Sequence, residues 1–235
     1  MSRAARIFLL VTCEHGGNRI PSEYTRLFTG WQRILATHRG FDAGALVMAR
    51  QLSAALHAPL VTSTVSRLLI DLNRSLGNPG LWSQATRRLP PAIKQQIVRR
   101  HYAPYRQRVE AIVSDAVRAG SRVIHLSSHS FTPVLGGAVR NADVGLLYDP
   151  ARPGESVLAA HWKAAFDEHA PELRVRRNYP YAGKNDGLTA SLRRIFPSGS
   201  YVGIEIELNQ ALIAEGLRWR RLRNAVVTTA KAALR

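Results

Sequence analysis

The chain of 235 residues is short of several things, and each shortage narrows what it can be. It has one cysteine, Cys13, so no internal disulfide can form, and the expectation is a reducing, cytoplasmic compartment. No run approaches the roughly 18 apolar residues that cross a membrane. The start, MSRAARIFLLVTC, is basic and then apolar, which is the outline of a signal peptide. Its apolar run is short and no small-residue cleavage site follows, so it reads as a first buried strand. Lysine is scarce: of the 33 basic residues only Lys94, Lys163, Lys184 and Lys231 are lysines. A net charge of +17 carried on arginine reads as the coding bias of a GC-rich genome. The rival reading is a basic nucleic-acid-binding module with a vestigial site. The arginines are scattered, however, and aromatics make up only 7% of the chain, so no stacking platform alternates with the basic groups. Repeats, low-complexity segments and linkers are also missing, and the chain is read as one domain, residues 1–235.

What is present is a steady alternation of apolar strands and amphipathic helices. Strands are expected at Ile7–Thr12, Pro59–Val65, Arg122–Ser127, Val144–Tyr148 and Tyr201–Leu208, with a short extended piece at Leu173–Arg177. Helices are expected at Asp42–His57, over Pro91–Ala119 as one or two pieces, near Ser156–His169, and from Leu217 onward. This order predicts a three-layer α/β fold, with a mostly parallel or mixed sheet and helices on both faces. In such sheets ligands bind outside the carboxyl ends of the strands.

Polar residues gather at those ends. The first strand runs into Glu14 and His15, followed by two glycines and Asn18. The third runs into SSHSFTP, which carries His129. The last holds Glu205 and Glu207 on one face, because side chains alternate along a strand. Asp42 stands where a helix opens, in HRGFDAGA. Two histidines and one carboxylate are ordinary ligands for a catalytic zinc ion that activates water. A separate glutamate would move the proton. Each residue also has an ordinary explanation: a loop hydrogen bond for His15, a helix cap for Asp42, a polar turn for His129, an ion pair for either glutamate. No compact signature such as HExxH is present. His125 reads as a core or supporting residue, and Cys13 as a small buried side chain.

The motifs as a set are more specific than any one of them. CEHGGNRIP (13–21), HRGFDAGA (38–45), SRLLIDLNRS (66–75), HYAPYR (101–106), HLSSHSFTP (125–133), RNADVGLLYDP (140–150), NYPYAG (178–183) and GIEIELNQ (203–210) occur in this order. With them the chain resembles the N-formylglutamate amidohydrolase family. The resemblance implies a phosphorylase/hydrolase-like fold, shared with zinc-dependent exopeptidases and zinc N-acetylmuramoyl-alanine amidases. It implies a zinc ion held by His15, Asp42 and His129, with Glu207 as the catalytic carboxylate. Glu207 matches the family's glutamate better than Glu205, whose position is a neutral polar residue in many relatives. The implied reaction is hydrolysis of N-formyl-L-glutamate to formate and glutamate, with another N-acyl amino acid or a cell-wall peptide as the alternative substrate. An anionic substrate calls for cations, and arginine grips carboxylates with two parallel hydrogen bonds. Arg67, Arg74 and Arg140 are the candidates, with Asn73 as an amide partner. Asn18 and the glycines before it are expected to admit substrate close to the backbone. An ion-pair network among Arg67, Asp71 and Arg74 is the purely structural alternative.

Overall fold

The computed structural model describes residues 6–235, so the basic first five residues lie outside the described part. Six strands form the main sheet: β1 (Ile7–Cys13), β2 (Leu60–Thr62), β3 (Arg122–Phe131), β6 (Val144–Leu147), β7 (Val175–Arg177) and β8 (Tyr201–Asn209). A small hairpin, β4 (Val134–Leu135) and β5 (Ala138–Val139), projects after β3. The sheet order is β2-β1-β3-β8-β6-β7. Its first four strands are mutually parallel, and β6 runs antiparallel to β8. The expected three-layer α/β architecture with a mostly parallel sheet is therefore the one observed.

The helices are α1 (Gln32–Leu35), α2 (Ala45–Leu56), α3 (Pro91–Ile97), α4 (Ala103–Arg118), α5 (Pro153–His169), α6 (Leu188–Ile195) and α7 (Gly216–Ala233). Helices α2, α5 and α7 cover one face, where Met48, Leu52, Trp162, Phe166, Leu222 and Val226 pack on Val11, Leu126, Ile204 and Ile206. On the other face Ile97, Tyr105, Val109, Val113, Leu188 and Leu192 pack on Leu10, Val123 and Tyr201. A single π-helical turn, Val98–Tyr102, joins α3 to α4, so the helical stretch expected over Pro91–Ala119 is one run with a local widening. The strand at Pro59–Val65 keeps continuous ladder pairing over Leu60–Thr62, with a separate parallel bridge from Val65 to Arg19. Helix α6 was not expected, because its eight residues are short and follow an irregular segment.

The central strands β3 and β8 are buried on both faces. On the face covered by α4 and α6 their side chains change character along the strand. Leu10, Thr12 and Glu14 follow one another on β1 and its end. Val123, His125, Ser127 and His129 do so on β3, and Tyr201, Gly203, Glu205 and Glu207 on β8. Each series begins apolar in the core and turns polar toward the carboxyl end. The parallel register stacks Thr12 beside Ser127, Ser127 beside Glu205, and His129 beside Glu207. One apolar face thus grades into a polar floor.

Within that gradient His125 is fully buried, hydrogen-bonded to Thr12 at 2.8 Å and to Tyr201 at 2.7 Å. Burial is the main reason its pKa falls to about 4. Between about pH 4 and the roughly 6.5 of a free imidazole, the unfolded chain therefore holds a proton there that the fold does not. The contribution is intact above pH 6.5 and is drawn down as pH falls toward 4. The difference in denaturant midpoint between His125→Gln and the parent should move in the variant's favour as pH falls across this window.

Candidate active site

The loop after β1 is built by close approach of backbone. Gly16 N donates to Ser63 O at 3.0 Å, and a Cβ on Gly16 or Gly17 would stand 2.8 Å from the carbonyl of Ser63 or Thr64. The glycines are required by this packing against the chain that leaves β2. Close packing of backbone on backbone, rather than the expected room for substrate, is what the structure shows at Gly16 and Gly17. Asn18 is exposed, and its amide donates to Leu35 O at 3.1 Å. It does not line the cavity described below, so the structure gives it no part there.

With the loop pinned, His15 turns inward beneath Asp42, whose backbone N–H donates to His15 O. Asp42 is not a helix cap, since α2 begins at Ala45 after Gly44, and no side-chain cap is made. Its carboxylate instead faces both histidines. Asp42 Oδ2 lies 3.3 Å from His15 Nδ1 and 2.9 Å from His129 Nδ1. The three residues are buried, and one ligand atom from each lies within 4.8 Å of the others. The opposite nitrogens of both rings meet carboxylates. His15 Nε2 is 2.7 Å from Asp71 Oδ1, and His129 Nε2 is 3.0 Å from Glu14 Oε2. Glu14 is itself held by Tyr105 Oη at 2.7 Å and Ser127 Oγ at 2.5 Å. Arg67 donates to Asp71 Oδ2 at 2.7 Å and to Asp42 Oδ1 at 3.3 Å.

Burial opposes charge on every member of this cluster, and the mutual pairing overcomes it. Hydrogen bonds and charge from His129 hold Glu14 far below the usual carboxylate range, and His15, His129 and Arg67 do the same for Asp42. Asp71 is lowered by Arg67 and His15. His129 is raised well above an ordinary imidazole by Asp42 and Glu14, and His15 is raised by Asp71 and Asp42 against the opposing charge of Arg67. Glu207 moves the other way. Burial, with Asp42 and Glu205 adding to it and His129 opposing, pushes its carboxyl up to about 8. Its Oε2 is buried and has no hydrogen-bond partner among the described residues.

These groups border a small cavity of about 160 Å³. His15, Asp42, His129, Arg67, Asn73, Arg74, Glu205 and Glu207 all reach it, and Tyr181, Asn185 and Asp186 form its far wall. Arg74 is fixed by its Nη1, which donates to Asn73 O at 3.0 Å and Asp186 O at 2.8 Å. Asn73 accepts from Leu188 N at 2.6 Å, and its amide approaches His129 Nε2 at 3.4 Å. Arg140 is not on the cavity wall. Its guanidinium stacks on Tyr181, 4.8 Å from the ring centre, and reaches the cavity only through that residue. Cys13 is buried in the opposite core, apart from the cluster. Glu14 and Asp71, legible in the sequence only as a strand-end charge and an ion-pair partner, carry the site together with the expected residues, as do Tyr181 and Asp186, which the sequence does not mark. Glu14 was legible in principle, since it continues the alternation of Leu10 and Thr12.

The fold and the cavity define an α/β enzyme with its pocket at the carboxyl ends of parallel strands. The model of the N-formylglutamate amidohydrolase family matches residues 7–214, and the chain belongs to that family, a family of hydrolases. A gene product of Agrobacterium tumefaciens of known crystal structure is 31% identical, with a TM-score of 0.84 over 98% of this chain and 92% of that one. N-formylglutamate amidohydrolase from Ralstonia eutropha JMP134 is 20% identical, with a TM-score of 0.67 over 98% of this chain and 94% of its own, and shares the fold. No functionally curated protein matches the sequence significantly. Among the described residues, no helix is long and apolar enough to cross a membrane.

Proposed function

We propose that this chain, working as one domain over residues 1–235, is a zinc-dependent hydrolase that cleaves the amide bond of a small N-acyl amino acid in the cytoplasm. The family points to N-formyl-L-glutamate, giving formate and L-glutamate. The observation that carries the reading is the convergence of His15, Asp42 and His129 on one point of the cavity, beside the partnerless Glu207 oxygen.

The donor set fits zinc: two imidazole nitrogens and one carboxylate oxygen, with the remaining side toward the cavity. Each imidazole is oriented from behind by a carboxylate, Asp71 or Glu14, as histidine ligands require. Zinc held there supplies Lewis acidity toward the substrate carbonyl and a lowered pKa for water. The remaining work falls to the chain. Glu207 takes the proton of the attacking water and returns it to the departing nitrogen, a task suited to a buried carboxyl on the cavity wall with an oxygen that no other described group engages. Arg74 binds the substrate carboxylate, with Asn73 bracing the same wall. Arg67 neutralises Asp42 and Asp71 and keeps both carboxylates turned to the histidines.

The test is release of formate from N-formyl-L-glutamate by purified protein, with zinc measured on the same sample. The expected result is one zinc per chain and activity lost to a chelator and restored by zinc. Protein without zinc, or activity indifferent to chelation, contradicts the proposal. A finer check lies behind His15. Asp71→Asn should weaken zinc binding by about 10- to 100-fold, read by competition with a chromogenic chelator. A second reading, another N-acyl amino acid, is favoured by one observation: Glu205 also faces the cavity.

A further inference from the structure

Glu205 sits one alternation deeper than Glu207 on β8 and is 8% exposed. Thr189 Oγ1 donates to its Oε1 at 2.5 Å. Its other oxygen has no hydrogen-bond donor, and no basic nitrogen lies within 4.0 Å of the carboxylate, among the described residues. Glu207 apart, which is left free for proton transfer, the neighbouring carboxylates are matched: Asp42 and Asp71 by Arg67, Glu14 by Tyr105 and Ser127, Glu155 by Arg193. Burying an unmatched carboxylate is costly unless a partner arrives. In a chain with 33 basic residues, this one is left facing a cavity.

Arg74 shows the converse. It is held by two backbone carbonyls, and no carboxylate lies within 4.0 Å of it among the described residues. Gly187 lies against both Glu205 Oε1 and Asn73 Oδ1, so Glu205 and the Asn73-Arg74 pair share one wall. With Glu207 assigned to proton transfer, the cavity presents one unmatched cation, Arg74, and one further unmatched carboxylate, Glu205, to the same ligand.

We infer that the amino-acid half of the substrate carries a side-chain ammonium group that Glu205 binds while Arg74 holds the carboxylate. The preferred substrates are then N-acyl derivatives of ω-amino amino acids. The second carboxylate of N-formyl-L-glutamate would meet a like charge there. This rests on the proposed amide hydrolysis for its setting and concerns only which side chain is preferred.

Three formamides of similar length separate the cases: N-formyl-L-ornithine, N-formyl-L-glutamate and the neutral N-formyl-L-norvaline. The ornithine derivative should exceed the glutamate derivative in kcat/KM by about tenfold or more, and Glu205→Gln should shrink that ratio by a similar factor. Faster turnover of the glutamate derivative, or a ratio unmoved in the variant, overturns the inference while leaving the hydrolase intact. Calorimetric titration of the wild-type zinc-loaded protein with L-ornithine and L-glutamate needs no variant and no turnover. Tighter binding of ornithine supports the inference even if no formamide is cleaved. Tighter binding of glutamate, or binding of neither, overturns it.

Discussion

Glutamine in place of Glu207 lowers kcat for formate release by about 10²- to 10⁴-fold, the range that a positioned acid–base group supplies. The substitution preserves volume and removes only the ability to take and return a proton. Glu207 stands beside His129 in the strand register, is buried, and has an oxygen that nothing else in the described protein engages. A group needed only in the transition state is lost from kcat and not from KM. Zinc content and melting temperature, taken on the same preparation, separate a chemical defect from a structural one. The expected pattern is full zinc, an unchanged or higher melting temperature, and a KM within a few-fold of the parent. A loss of less than tenfold in kcat would move the proton transfer to another group, with Glu205 the next to test.

Methionine in place of Arg67 destabilises the zinc-free protein by about 3 kcal/mol, the low end for removing one partner of a buried charge pair. Arg67 is a quarter exposed, but its partners Asp42 and Asp71 are almost wholly buried. Without the guanidinium, both carboxylates keep their charge against His15 and His129 alone. For a chain of this length the loss corresponds to a drop of roughly 6 to 12 °C in melting temperature. The zinc-loaded protein should lose less, because the dication offsets the same two carboxylates. Paired thermal scans with and without zinc read both values. An equal loss in the two states would mean that Arg67 supports the fold independently of the metal cradle.

Much of this was legible in the strands. β1, β3 and β8 announce themselves by apolar content, and their carboxyl ends by where charge first appears. His15, His129, Glu205 and Glu207 are visible because they interrupt apolar runs. Asp42 was harder, since an aspartate before a helix has a local explanation. Only tertiary geometry shows that the helix starts three residues later and leaves the side chain free. Asp71 was hidden for a related reason. It lies in a turn-rich stretch next to Arg67, where an ion pair accounts for it without a third partner, and nothing local says that His15 stands on its other side. Asn18 misled because it adjoins a histidine and two glycines, a setting that suits a ligand loop as well as a tight loop crossing. The far wall was unreadable: residues 178–187 have no period, and their position depends on where β6 leaves them.

That last point has a practical side. Because β6 runs against β8, its neighbouring strand end contributes little beyond Leu147 to the pocket, and the segment at 178–187 lies across it instead. The carbonyl of Tyr179 presses on Gly145, and Gly183 on the backbone of Leu147 and Tyr148. Tyr181, Asn185 and Asp186 thus arrive on one continuous stretch of chain that supplies none of the His15, Asp42 and His129 cradle. Grafting that stretch from a relative should reshape the far wall of the pocket while leaving Glu205, Arg74 and the chemistry on the strand ends in place.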